Sequence, residues 1–381
     1  MRIYDRATLA QASWPATPDG DYARRVLEPL IQHGPQHFID NAYAEMRALM
    51  IDGVVLPLVI NRPRPPQISA YVCSPTTHYI DYAKREVELE LHDRPLLRRL
   101  IPPLLDAWKP LLRWSRFERV VYVNNWLLST NLYPPLHPQQ LRTIRDELIR
   151  AFPDHTIVFR SVNEQLNATL LHDLQALDFR PVFSRQVYLL DPQSAHYRRR
   201  KAFRSDVMLA RRTEYRWLDA SQIDRAAVPR LRDLYADLYL HKYSWHNPQF
   251  NQRFLEAALR DEWLTIFALQ RAGRIDGVLG FVERHGVMTP PLIGYDRALS
   301  MDLGLYRLIS LKFVEEARER GLLLNLSSGA AAFKRHRGST AAIEHNLVYD
   351  QHCSPRMRLP WRLLAALSRA AIIPIMRRFK L

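Results

Sequence analysis

The chain has 381 residues, enough for two domains with cores of their own, and its 47% hydrophobic and 24% charged residues exclude a disordered or fibrous protein. Its 54 Lys plus Arg against 39 Asp plus Glu leave a net charge of +15. That excess favours polyanionic partners (nucleic acid, a phosphorylated carrier, an anionic membrane face) beside the plainer reading of a solvated basic surface. Only two cysteines occur, Cys73 and Cys353. They cannot form a disulfide framework, and their surroundings lack the Cys/His spacing of a metal site, so two inert thiols are expected. Met1 to Pro15 lacks the apolar core of a signal peptide, and no apolar run is expected to reach the ~20 residues that span a bilayer. A cytoplasmic location follows as the expectation.

In chain order, the first helical pattern starts near Pro35 and covers Ile39 to Met50. Strands are predicted over Gly53 to Ile60 and Gln67 to Ser74, and a long helical region over Tyr82 to Trp114, broken at Pro102-Pro103. Arg119 to Ser129 reads as a buried strand rich in β-branched and aromatic residues. An alternation follows: helix Gln139 to Phe152, strand Thr156 to Arg160, helix Leu166 to Leu177, strand Ser184 to Leu190.

The charge run from His196 to Arg204 has no periodicity and reads as a connection. Beyond it, Glu214 to Leu218 is a strand, Arg225 to His241 and Gln249 to Arg260 are helices, and three strands run over Leu264 to Gln270, Ile275 to Glu283 and Val287 to Tyr295. The turn Arg271-Ala-Gly-Arg274 makes the first two a hairpin. Helix Leu303 to Arg320, strand Leu322 to Leu326, helix Ala331 to Arg337 and strand Ile343 to Tyr349 complete the half. Both halves end helix, strand, helix, strand, which suggests duplication. The expected organisation is an N-terminal domain over 1–192, a basic linker over 193–212, a second domain over 213–352 and a basic amphipathic tail over 353–381.

The stretch Gly294-Tyr-Asp-Arg-Ala-Leu-Ser-Met-Asp-Leu-Gly-Leu-Tyr306, then Ser327-Ser-Gly-Ala-Ala-Ala-Phe-Lys-Arg-His-Arg-Gly338, resembles the C-terminal domain of Fem-like and GNAT-type acyltransferases. The resemblance covers about 214–351, with a weaker echo from Val120 to Leu190. It implies an α/β fold of tandem GNAT-like (acyl-CoA N-acyltransferase) type, two mixed-sheet domains with flanking helices. In that family the central strands splay and expose backbone groups to the donor, and the N-terminus of the next helix receives phosphate. Here that helix is expected to begin at Met301-Asp-Leu-Gly304, with one glycine and an acid, Asp302, in place of the usual basic, glycine-rich loop.

That departure favours the Fem-like donor, aminoacyl-tRNA, over acyl-CoA. A phosphopantetheinyl carrier protein is a further donor, and the net charge of +15 suits any of these anions. The implied reaction moves an aminoacyl or acyl group to an amine or hydroxylamine-type small molecule, in natural-product or cell-wall biosynthesis, without a tightly bound cofactor or metal. The alternatives are an acyl-CoA-dependent N-acyltransferase and a non-catalytic basic binding module.

The resemblance sets Lys334 near the donor, to bind phosphate or steady an oxyanion, with Arg335 and Arg337 beside it and Arg198, Arg199 and Arg200 as further phosphate or nucleic-acid contacts. The competing reading is a solvated basic face. Tyr295, ending a strand, is the candidate proton donor, against a plain core tyrosine. Ser327 and Ser328 are candidate substrate contacts, with an N-cap role for Ser328 as the alternative. Tyr243, Trp245 and His246 form an aromatic turn that lines an acceptor pocket or packs a loop. Asn125 shapes the cleft or satisfies local backbone, and Glu344 is a candidate general base. For the tail from Leu359, two readings stand: an interfacial helix on an anionic membrane, or a helix closing a core.

Overall fold

The computed structural model describes residues 1–63, 65–90 and 94–379. By its contacts the chain divides into two compact units. Unit 1 holds Met1–Arg185, His246–Gln249 and Ile343–Leu381; unit 2 holds Gln186–Trp245 and Phe250–Ala342. The units are therefore discontinuous in sequence, unlike the contiguous halves expected.

Unit 1 opens with β1 (Arg2–Tyr4) and α1 (Pro18–His33). Ala23, Val26, Leu27, Leu30 and Ile31 of α1 face inward at helical spacing, and Thr17 Oγ1 accepts from Gly20 N–H at 3.0 Å to start the helix. β2 (Ala44–Ile51) and β3 (Val54–Asn61) form a hairpin whose turn is Asp52-Gly53, both at positive φ. A helical turn of wider pitch (Thr77–Tyr82) runs into α2 (Ala83–Glu90). Next come α3 (Pro95–Asp106), α4 (Lys109–Trp114), β4 (Val120–Val123), α5 (Pro138–Ala151), β5 (Thr156–Asn163), α6 (Glu164–Ala176) and β6 (Arg180–Leu190).

Three expectations fail here. The segment 39–50 is not a helix, because its C-terminal part pairs on both sides, with β1 and with β3. Gln67 to Ser74 is not a strand: Ala70 to Cys73 are buried but their backbone turns, with Cys73 N–H donating to Ala70 O at 2.8 Å. Nor does Pro102-Pro103 break α3, whose far end is tied down where Asp106 meets Lys84 at 2.6 Å and Lys109 at 3.0 Å. Both cysteines are free and buried, and burial pushes the Cys73 thiol up to about 12 and the Cys353 thiol up to about 11.

Unit 2 begins in the last residues of β6 and continues through α7 (Ala195–Arg198), α8 (Lys201–Arg212), β7 (Arg216–Asp219), α9 (Val228–Ala236) and α10 (Gln252–Arg260). The segment expected as a basic linker is helical, with buried Asp206 giving α8 an anchoring face. β8 (Thr265–Arg271), β9 (Arg274–Arg284), β10 (Val287–Tyr295), α11 (Leu305–Glu319), β11 (Leu323–Asn325) and α12 (Ala331–His336) follow. β12 (Thr340–Tyr349) returns the chain to unit 1, where α13 (Pro355–Leu367) and α14 (Ile373–Phe379) are joined by a wider turn, Ser368–Ile372.

The two units repeat one strand order. In unit 1, β1, β2, β3 and β4 pair antiparallel in turn, β4 pairs parallel with β5, and β5 pairs antiparallel with β12. In unit 2, β7, β8, β9 and β10 pair antiparallel in turn, β10 pairs parallel with β11, and β11 pairs antiparallel with β6. The sixth strand of each unit comes from the other half of the sequence. Each unit keeps its own apolar core: Leu56, Val121, Ile144, Leu148 and Phe159 lie in the first, and Leu279, Phe281, Ile309, Phe313 and Leu324 in the second.

Among the described residues, one helix, Pro355–Met376, is long and apolar enough to cross a membrane by length and composition. This corrects the expectation drawn from unbroken apolar runs, since Arg362 and Arg369 interrupt the run without lowering its average enough.

Candidate functional site

In unit 2, β10 and β11 are in register only at Val287–Leu323 and Met288–Leu324, whereas β10 pairs with β9 as far as Tyr295–Gly277. From Thr289 onward the β11-side edge of β10 carries no partner strand among the described residues. Beyond Asn325 the chain leaves β10 and bonds to β6, Leu326 N–H donating to Tyr188 O at 2.8 Å and Tyr188 N–H to Ser327 O at 3.2 Å. The result is a wedge whose walls are the free edge of β10 and the turn 326–330.

Two glycines permit this packing. A Cβ on Gly294 would lie 2.4–2.6 Å from the α9 backbone at Leu234 and Tyr235, so only glycine lets α9 press on the strand just before Tyr295. Gly304 has φ +62, and a Cβ there would meet Leu209 of α8 at 2.5 Å. It follows the turn Met301–Leu303, so α11 starts at Leu305 and not at Met301 as expected.

Tyr295 is half-buried at the end of β10, 5.8 Å from the ring of Tyr306, which lies 4.6 Å from that of Phe333. This ladder joins the strand end to the segment expected to bind donor. Burial raises the Tyr295 phenol above its usual range while Arg297 lowers it, leaving a neutral hydroxyl at pH 7.

Lys334 is brought here too, but not as a solvated cation: it is 7% exposed. Its ammonium donates to Leu326 O at 2.7 Å, Ser328 O at 2.8 Å and Ser327 O at 3.2 Å. The turn it closes has Ser327, Gly329 and Ala330 at positive φ, and the α12 N-cap is Ala330, so Ser328 is not the cap. Both serines thus serve the turn through their carbonyls. Arg335 donates to Tyr188 Oη at 3.1 Å. Arg337 is not a solvated cation either: it meets buried Asp206 at 2.7 and 3.0 Å and stacks on Phe333, its guanidinium 3.4 Å from the ring centre.

Asp206 also accepts from Arg307, in the first turn of α11, at 2.6 Å. With Leu209 against Gly304, α8 is therefore built onto the start of α11. Asp206, Tyr188 and Tyr306 were missed by sequence reasoning. Asp206 sits just past a charge run that had been read as a linker, Tyr188 carries no motif, and Tyr306 ends the quoted stretch without being singled out.

The other candidates part company. Arg198 and Arg199 are exposed on and just after α7, with Arg200 half-buried beside them. Tyr243 and Trp245 belong to unit 2, the Trp245 ring lying tilted against His241 at 5.2 Å, and His246 belongs to unit 1, where its carbonyl accepts from Tyr71 N–H at 2.9 Å. Asn125 is fully buried: its Nδ2 donates to Val72 O at 2.7 Å and its Oδ1 accepts from Leu127 N–H at 3.0 Å, so both ends of its amide are engaged by backbone. Glu344, also fully buried, is paired with Arg185 at 2.7 Å and is not a free base. Arg185 further donates to Thr130 Oγ1 at 2.7 Å, a buried network that belongs to unit 1.

Unit 1 also holds a cleft of about 1030 Å³ lined by Glu45, Asn61, Arg62, Glu118 and His155 among others. Its carboxylates are engaged, Glu45 by Arg47 and Arg62, and Glu118 by Asn61, Ser74 and Thr76. None of the candidates from sequence lies on it. The wedge of unit 2, with its free strand edge, is the better site for chemistry.

Residues 196–335 match the model of the acetyltransferase (GNAT) domain. The structure of FemX is similar over 92% of this chain and 96% of that one, at 10% identity and a TM-score of 0.52. A conserved protein from Bacteroides thetaiotaomicron covers 90% and 96% at 12% identity and TM-score 0.49, and L-PGS from Bacillus licheniformis covers 61% and 78% at 14% and 0.44. No curated protein sequence matches the chain. Parallel strands that part and a helix after the first of them lie within the region, 196–335, that matches the acetyltransferase (GNAT) domain. Over most of its length the chain has a fold similar to that of FemX, with two units of one strand order.

Proposed function

We propose that unit 2 transfers an aminoacyl group from aminoacyl-tRNA to the nitrogen of an amine or hydroxylamine-type small molecule. The observation that carries this reading is the start of α11. An acyl-CoA site needs open, basic, glycine-rich N–H groups there for the diphosphate. Here the turn bears Asp302, and α8 packs onto it through Leu209 and through Asp206 on Arg307. A donor whose phosphates lie away from the carbonyl suits such a wedge better, and the excess of basic over acidic residues within unit 2 itself suits RNA.

In the reaction, the acceptor nitrogen attacks the ester carbonyl, whose oxygen is held by backbone N–H groups of β10's free edge. The ester C–O bond then breaks, the ribose oxygen leaves with a proton from Tyr295, and the acceptor nitrogen's proton restores the phenol. The exposed Arg198 and Arg199 are candidates for RNA phosphate contacts. Such a donor places the enzyme in the cytoplasm.

The second reading, an acyl-CoA donor, draws on the matched domain's description as an acetyltransferase. Single-turnover transfer assays separate the two. Label moving to an amine acceptor from a pool of charged tRNA, and not from acetyl-CoA, is the expected result; the reverse overturns the proposal.

A further inference from the structure

Most of the net charge is concentrated. Residues 94–116 hold six Lys or Arg and one acid, and residues 354–381 hold seven and no acid. These two segments carry +12 of the chain's +15. Both belong to unit 1, and α4 of the first packs against α13 of the second.

The same segments expose their leucines. α3 buries no residue, and Leu96, Leu100 and Leu104, four apart on one stripe, are 75%, 59% and 65% exposed, with Leu97 beside them. Arg98 and Arg99 stand between, also exposed, and Trp114 at the end of α4 is 55% exposed. The C-terminal helix is anchored on one side: Met357, Trp361 and Leu364 are buried, the Trp361 ring packs tilted against Phe117 at 4.3 Å, and Ser368 Oγ accepts from Phe183 N–H at 3.1 Å. Its other side shows Leu359, Leu363, Leu367 and Ile375, with Arg362 and Arg369 among them.

Exposed leucines in water are a cost with no return inside the protein. An apolar stripe edged by arginine matches the headgroup boundary of an anionic bilayer, where side chains bury their carbon and the guanidinium stays at phosphate. RNA fits less well, since nucleic acid is held by basic groups with stacking aromatics and gains nothing from leucine. Spanning fits less well, since one face of the helix is already spent on the core of unit 1. We propose that α3 and the C-terminal helix form a two-part docking surface by which unit 1 lies on an anionic phospholipid membrane without crossing it.

The test is co-sedimentation of the full chain with vesicles of phosphatidylcholine alone or mixed with phosphatidylglycerol. Wild type should bind the mixed vesicles, weakly in high salt, and barely bind the neutral ones. Arg98→Gln with Arg99→Gln should lose about thirtyfold in partition, at ~1 kcal/mol per charge. Leu96→Gln with Leu100→Gln and Leu104→Gln should lose roughly a hundredfold, and Leu363→Gln with Leu367→Gln roughly tenfold. All these side chains are exposed, so melting should be unchanged. The proposal is overturned if wild type ignores anionic vesicles or binds both kinds equally. It is overturned equally if the leucine variants instead lose RNA binding or dissociate an oligomer, or if the protein leaves cell membranes only in detergent.

Discussion

Replacing Lys334 by methionine keeps the length of the side chain and removes its charge and donors. Three carbonyls now converge on the ammonium, at 2.7, 2.8 and 3.2 Å. Ser327 O keeps a second donor, Tyr188 N–H, whereas Leu326 O and Ser328 O lose the contact that orients them. A hydrogen bond to a charged group contributes about 1.5–3 kcal/mol net, and relief of ammonium burial offsets part of the three together. The left-handed conformation of Ala330, at φ +48, costs about 1–2 kcal/mol and is held only by the closed turn. A net loss of about 2 kcal/mol is therefore expected, seen as a fall in melting temperature of about 4–8 °C for a unit of this size. Activity should fall with it, and raising donor concentration should not restore it, because the wall of the wedge is altered. Unchanged melting, with a tenfold rise in the donor's KM alone, would refute the reasoning and make Lys334 a direct phosphate ligand.

Tyr295→Phe removes a hydroxyl with no hydrogen-bond partner among the described residues, so stability should shift by less than about 0.5 kcal/mol while kcat falls about 10²-fold or more; an unchanged kcat rules out the proton-donor role. Gly294→Ala forces a methyl into the α9 backbone, and denaturant titration should show a loss of about 1–3 kcal/mol. His78 is fully buried, and burial, with Arg160 and Arg185 nearby, lowers its pKa from 6.5 to about 3. The unfolded chain takes up that proton first, so stability present above pH 6.5 should drain as pH falls toward about 3, at up to about 1.4 kcal/mol per unit. His78→Asn should flatten that part of the stability profile, and an unaltered slope would show that other groups set it.

Much of the second half was legible in the residues. β10 runs from Val287 to Tyr295 as expected, and Ala272-Gly273 at positive φ make the hairpin turn. Local pattern and tertiary partners agree there. They disagree at Ala44–Ile51, where Ala, Glu, Met and Leu favour helix, yet pairing with β1 and β3 makes a strand. The exchange of β6 and β12 between units could not be read locally, because it depends on which strands meet at long range. Lys334 and Tyr295 were found through the motif around them. The burial of Lys334, and the Asp206 bridge from α8 to α11 and α12, depend on a packed face that a run of arginines concealed.

Amide hydrogen exchange with and without an aminoacylated RNA minihelix tests the wedge most directly. The account predicts new protection on the free edge of β10, from Ile293 to Tyr295, and in the turn from Leu326 to Gly329. Protection confined to the unit 1 cleft around Glu45 and Glu118, with β10 unchanged, would contradict it.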